Sequence, residues 1–163
     1  MTDRKQCLPL TDVEKVLAIL NRISILAGFS EEQLRFIFRL LEKVSYKAGE
    51  KIFEQGRQPS HIYIVESGSV KLVVSRDNTN LELIVFEAGR LFGEASVIGI
   101  QPHGATAVAV EDTELIVLSR TALLSIYESN LEIFSMLILN IAREVCRRLH
   151  ASDQTLLHYV LRK

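Results

Sequence analysis

The chain has 163 residues, 48% of them hydrophobic, and a net charge of −1. That apolar fraction supports a packed core and excludes a disordered chain. A near-neutral balance excludes capture of nucleic acid or an anionic membrane by bulk charge alone.

The first forty residues read as helical, with residues 1–25 as a separate N-terminal helical segment. Thr11 and Glu14 have capping-box spacing, and Val13, Val16, Leu17 and Leu20 recur at helical intervals. A second start follows Gly28, with Ser30 as cap, Gln33 three residues on, and Phe29 with Leu34 as a staple. Leu34, Ile37, Phe38 and Leu41 form its apolar face, widened by Phe36 and Leu40.

From Val44 to Leu118 the apolar period drops to two, punctuated by glycines at 49, 56, 68, 89 and 93. HIYIVE (61–66), SVKLVV (69–74), LELIVF (81–86), ATAVAV (105–110) and TELIVL (113–118) are strand-like. ESGS is a tight hairpin signal, and SRDNTN (75–80) reads as a polar hairpin loop. Many short strands at regular spacing indicate a sandwich or jelly roll. The last third is helical again. A short helix near 120–127 leads to a long one from about 129, striped by Ile138, Ala142, Val145 and Leu149 and expected to fray or break at RRLHASDQ (147–154). Arg143, Arg147 and Arg148 read as a solvated face, from which one arginine could reach the pocket.

Cys7 and Cys146 lack metal-ligand spacing, and the four histidines form no H-x-H or H-x-x-x-H pair, so no metal site is expected. A signal peptide is not apparent, and the longest apolar run, MLIL at 136–139, is too short to span a bilayer. These features point to a soluble, cytoplasmic protein with free thiols.

The stretch FGEASVIGIQPHGAT (92–106) carries the chemistry. Gly93 permits a tight turn close to a ligand. The following residues can form one helical turn whose free amides favour an anion. Small residues at Ala95 and Ser96 leave room for a ligand oxygen, and Glu94 suits a neighbouring hydroxyl. With His103 nearby as a cation, this describes a pocket for a sugar phosphate. The plainer alternative for Gly93 and Glu94 is a capped surface helix, since an acid in a first turn is common.

KAGEKIFEQG (47–56), YIVESGSVKL (63–72) and FGEASVIGIQPHGAT together resemble the cyclic-nucleotide-binding domain family, over about Leu26 to Leu149. The resemblance implies a mainly β fold: an antiparallel β jelly roll, here 26–128, with N-terminal helices and a long C-terminal helix, 129–163. It implies cyclic AMP or cyclic GMP, or a related phosphate ligand, and no cofactor. Glu94 would take the ribose 2′-hydroxyl, and the amides of Ala95 and Ser96 would face ribose and phosphate. Leu72 and Leu83 would line sugar and base. His103, Gly104 and Ala105 would complete the cassette, with Thr106 opening the strand that closes it. The family usually has arginine where this chain has His103, and alanine or serine at the position of Gly104.

Arginine presents a permanently charged fork, whereas imidazole offers one N–H and an ordinary pKa of about 6.5. Losing a charge-assisted hydrogen bond of roughly 1.5–3 kcal/mol weakens binding about ten- to a hundredfold. The expected function is a ligand-sensing regulatory domain that transmits its state through the C-terminal helix, which would also pair two chains in a homodimer. Two alternatives stand beside it: the sensory part of a transcription regulator, and a degenerate docking scaffold. About a dozen residues follow Ala151, too few for a helix-turn-helix, so no nucleic-acid partner is expected of this chain. Clustered histidines, a nucleophile elbow and a P-loop are all missing, so an enzyme is not expected.

Overall fold

Two antiparallel sheets face each other, and helices cover one of them. The computed structural model describes residues 5–161. Strands β1 (Leu8–Pro9), β2 (Glu42–Tyr46), β4 (His61–Ser67), β7 (Leu91–Phe92) and β9 (Thr113–Ser119) make one sheet, in the order β1-β2-β9-β4-β7. The other runs β3-β8-β5-β6, from β3 (Lys51–Phe53), β5 (Val70–Arg76), β6 (Thr79–Phe86) and β8 (Thr106–Ala109). Among the described residues five α-helices complete the fold: α1 (Val13–Ala18), α2 (Glu31–Phe38), α3 (Glu94–Gly99), α4 (Arg120–Ser129) and α5 (Leu131–Leu161). The jelly-roll expectation holds.

The first sheet is buried on both faces, which explains the near-continuous apolar runs of β4 and β9. Val44, Tyr63, Val65, Leu115 and Val117 point into the roll, where they meet Val70, Phe86, Phe92 and Ala107. Ile62, Ile64, Leu91, Ile116 and Leu118 point outward onto Leu34, Ile37, Phe38, Ile133, Leu137 and Ile141. The second sheet has bare ground outside: β6 leaves Leu81, Leu83 and Val85 more than half exposed.

Local rules account for most element ends. Ser30 and Gln33 close a full capping box on α2. Gly68 packs where a Cβ would lie 2.5 Å from Thr113 Oγ1 and 2.6 Å from Asp112 O, so only glycine fits the β4–β5 turn. The β5–β6 connection is shorter than the expected polar loop. Asp77 and Asn78 take left-handed φ values of 50° and 58°, which makes a two-residue hairpin, and Ser75, Arg76, Thr79 and Asn80 pair across it.

Several expectations near the ends change. The cap of α1 is Asp12 with no side-chain hydrogen bond, not Thr11, and β1 precedes it. Two 3-10 turns, Leu20–Arg22 and Ser24–Leu26, break the N-terminal helical stretch. The side chain of Leu20, assigned to the first stripe, lies outside the described residues. Helix α5 does not break at 147–154 but runs on to Leu161. Its core face is Ile133, Leu137, Ile141 and Glu144; Ala142 and Leu149 of the expected stripe are exposed. Asn140 fixes α5 in place, its Nδ2 donating to Ile25 O at 3.0 Å and Ala27 O at 2.9 Å. Among the described residues no helix is long and apolar enough to cross a membrane.

Candidate functional site

The segment from β7 to β8 forms a turn, a short helix and a loop. Gly93 stands at φ 81°, and a Cβ there would sit 3.1 Å from the Tyr63 ring and 3.2 Å from His61 O. Its left-handed turn swings Glu94 inward, where the side chain is fully buried at the head of α3. Ala95 is exposed, whereas Ser96 is buried and accepts from the Gln101 amide through its carbonyl at 3.2 Å. Ile100 ends α3 in the left-handed region, at φ 50°, although it is β-branched and 72% exposed.

Glu94 does not stand alone. Arg148 of α5 donates through Nη2 to Glu94 Oε1 and through Nη1 to Leu91 O at 3.2 Å, with its guanidinium 5.4 Å above the Phe86 ring. Among the described residues the second carboxylate oxygen, Oε2, is buried without a hydrogen-bond partner. Burial pushes the Glu94 carboxyl up, against the opposing pull of the Arg148 cation. The other two arginines are not a plain solvated face either. Arg143 donates to Asn140, and Arg147 pairs with Glu144 at 2.6 Å. Burial works to raise Glu144, but Arg147 and Arg90 outweigh it and hold the carboxyl low.

His103 makes its own set of contacts. Its ring is buried and stacks on Phe53 with centroids 3.7 Å apart and planes 8° apart. Its backbone closes onto the β3–β4 loop, N to Arg57 O at 2.9 Å and O from Gly56 N at 2.8 Å. Burial pushes its pKa below the usual value, so the imidazole is neutral at neutral pH. At Gly104 a Cβ would meet nothing within 4 Å, so space does not require glycine there. Ala105 is buried, and Thr106 spends its hydroxyl accepting from Gln55 N at 3.0 Å. Leu72 is half-buried against the roll interior. Leu83 is the extra residue where the β5–β6 register jumps from Leu72–Ile84 to Val73–Glu82, and it is 53% exposed.

Residues 43–130, more than half of the chain, match the cyclic nucleotide-binding domain family. The chain belongs to this family. It is 32% identical over 127 residues to the cyclic AMP receptor protein of Thermus thermophilus, covering 77% of this chain and 57% of that protein. It is 29% identical over 120 residues to the cAMP-dependent protein kinase regulatory subunit of Dictyostelium discoideum, covering 68% of this chain and 36% of that one. The chain therefore spans little more than half the length of the first relative and about a third of the second. The crystal structure of the Thermus thermophilus catabolite activator protein superposes with a TM-score of 0.73 at 30% identity, over 84% of this chain and 63% of that one. A cyclic nucleotide-binding domain from Methylobacillus flagellatus reaches a TM-score of 0.83 over 94% of this chain and 88% of that one; at 22% identity it speaks for the fold alone.

The roll also holds a cavity of about 870 Å³ between β2, β3 and β4, walled by Tyr46, Phe53, His61, Tyr63 and His103 and edged by Cys7. Among the described residues Glu94, Ser96, Leu72 and Leu83 do not line it. Of the three arginines from which one was expected to reach the pocket, the structure selects Arg148 and pairs it with Glu94, 54 residues away, a choice made only by packing.

Proposed function

We propose that this domain binds a cyclic nucleotide at Glu94 and passes its state to α5. Glu94 Oε2 carries the reading: a buried acceptor without a donor, beside an ion pair, suits a ribose hydroxyl. Membership of the family supports the choice of ligand, cyclic AMP or cyclic GMP. The role of Arg148 follows from its contacts. A hydroxyl at Glu94 competes with or completes the Arg148 hydrogen bonds, so ligand binding shifts how firmly α5 holds the cassette. A ligand acts this way only through unequal affinity for the two arrangements. The printed names of the relatives, a receptor protein and kinase regulatory subunits, favour a regulatory rather than a catalytic domain.

The proposal includes a homodimer through α5. Ala142, Leu149 and Leu156 recur every seven residues and are all exposed, which is the seam of a coiled coil. A second copy of this chain would cover them together with the bare leucines of β6.

Calorimetric titration with cyclic AMP and cyclic GMP tests the reading. Binding is expected to be weak at neutral pH, because His103 is neutral, and to tighten as pH falls through the depressed His103 pKa, where protonation supplies the missing charge. No heat with either nucleotide at millimolar concentration overturns it.

A further inference from the structure

The inner face of the first sheet carries a second group of reactive side chains. Strand alternation puts Glu42, Val44 and Tyr46 of β2 on that face, and His61, Tyr63 and Val65 of β4 beside them. Glu42 and Tyr63 flank Val117 in register. The pairing of β1 with β2, Leu8 opposite Lys43 and Pro9 opposite Glu42, brings the residue before β1 over the same face. That residue is Cys7. One ligand atom each from Cys7, Glu42 and His61 lies within 4.8 Å of the others, and all three side chains are half-buried.

We infer that Cys7, Glu42 and His61 form a binding site for a divalent cation of the zinc class. The set of one sulfur, one nitrogen and one oxygen suits a borderline-soft ion and not calcium or magnesium, which take oxygen ligands. Tetrahedral zinc holds such donors at about 2.0–2.3 Å, so the three atoms need only close in slightly from their present separation. Among the described residues no cation pairs with Glu42, and Lys5 on the cavity wall is engaged by Glu50. A dication would be neutralised by the Glu42 carboxylate and the Cys7 thiolate, with the thiol proton released to solvent. The Ser60 hydroxyl stands 2.8 Å from His61 Nδ1, a contact that orients the ring. The fourth coordination position would open into the 870 Å³ cavity. Bound metal would also tie the segment before β1 to β2 and β4, a staple the two-residue strand β1 does not supply by itself.

The test uses the full chain carrying Cys146→Ser, because Cys146 and His150 lie one turn apart on the exposed side of α5 and would bind metal weakly. Cobalt(II) added to metal-free protein should saturate at one equivalent, with a near-ultraviolet thiolate charge-transfer band that zinc abolishes. Cys7→Ser should remove the band, and His61→Ala or Glu42→Gln should weaken binding at least tenfold. Zinc should raise the melting temperature of the Cys146→Ser protein but not of its Cys7→Ser derivative, with circular dichroism confirming that the variants fold. A missing band, or a band that survives Cys7→Ser, overturns the inference.

Discussion

Arg148 on α5 and Glu94 at the head of α3 form an ion pair 54 residues apart in sequence, with Glu94 fully buried and Arg148 largely so. The contact links the cassette directly to the long helix.

Arg148→Ala leaves the buried Glu94 carboxylate without its cation. Breaking a buried pair from one side costs about 3–5 kcal/mol. Arg148 keeps some contact with water, so a loss of about 1–3 kcal/mol at pH 8 is expected in urea unfolding. The sign with pH follows from Glu94. Burial already raises its folded pKa, and losing Arg148 raises it further. Stability linked to the neutral acid is complete below the ordinary carboxyl range and is lost as pH rises through the folded pKa. The variant should therefore lie closest to the parent protein in acid, and the gap should widen toward pH 8. A deficit equal at pH 5 and pH 8 would show that the carboxylate does not depend on Arg148.

His103→Arg should strengthen cyclic nucleotide binding roughly ten- to a hundredfold in calorimetry, the worth of one charge-assisted hydrogen bond. It should also lower the stability of the ligand-free protein, since a guanidinium replaces a ring that is buried on Phe53. In the parent protein the depressed His103 pKa favours the neutral ring, so its contribution to stability is intact above about pH 6.5 and declines as pH falls through the folded value. Unchanged affinity in the variant would place the phosphate out of reach of position 103.

Ile100→Gly should stabilise the domain by about 1 kcal/mol. A β-branched residue in the left-handed region costs roughly 1–2 kcal/mol, and an exposed side chain returns little by packing. The greater freedom of glycine in the unfolded chain offsets part of the gain. Thermal unfolding measures it, and a lower midpoint than the parent would mean that the Ile100 side chain is held by a contact outside one protomer.

Leu149→Asp with Leu156→Asp should convert a dimer to a monomer in light scattering. Both positions are more than 60% exposed and fall on the same seven-residue repeat, so one protomer loses nothing by the change. Helical ellipticity should fall too, because the end of α5 has few contacts of its own. A parent protein that runs as a monomer at high concentration would refute the pairing.

Much of this protein was readable from its residues alone. Short runs rich in β-branched and aromatic residues placed β4, β5, β6, β8 and β9; Ser30 with Gln33 placed the start of α2, and the glycines at 68 and 93 placed turns whose left-handed backbone or close packing demands them. These are short-range effects, set by neighbours a few residues away. The family resemblance singled out Glu94 in the same way, from its place after Gly93. What lay beyond reach was decided across the fold. The buried face of α5 centres on Ile133, Leu137 and Ile141, with Ile138 and Val145 of the expected stripe at its edge and Ala142 and Leu149 exposed, because burial depends on which side meets the first sheet and α2. The helix continues through RRLHASDQ because local polarity does not forbid an exposed helix. Only tertiary packing could bring Arg148 onto Glu94, set His103 on Phe53, and gather Cys7, Glu42 and His61 on one face of a sheet. Contacts between distant residues leave no periodic trace in a chain, and the chemistry of this domain is made of such contacts.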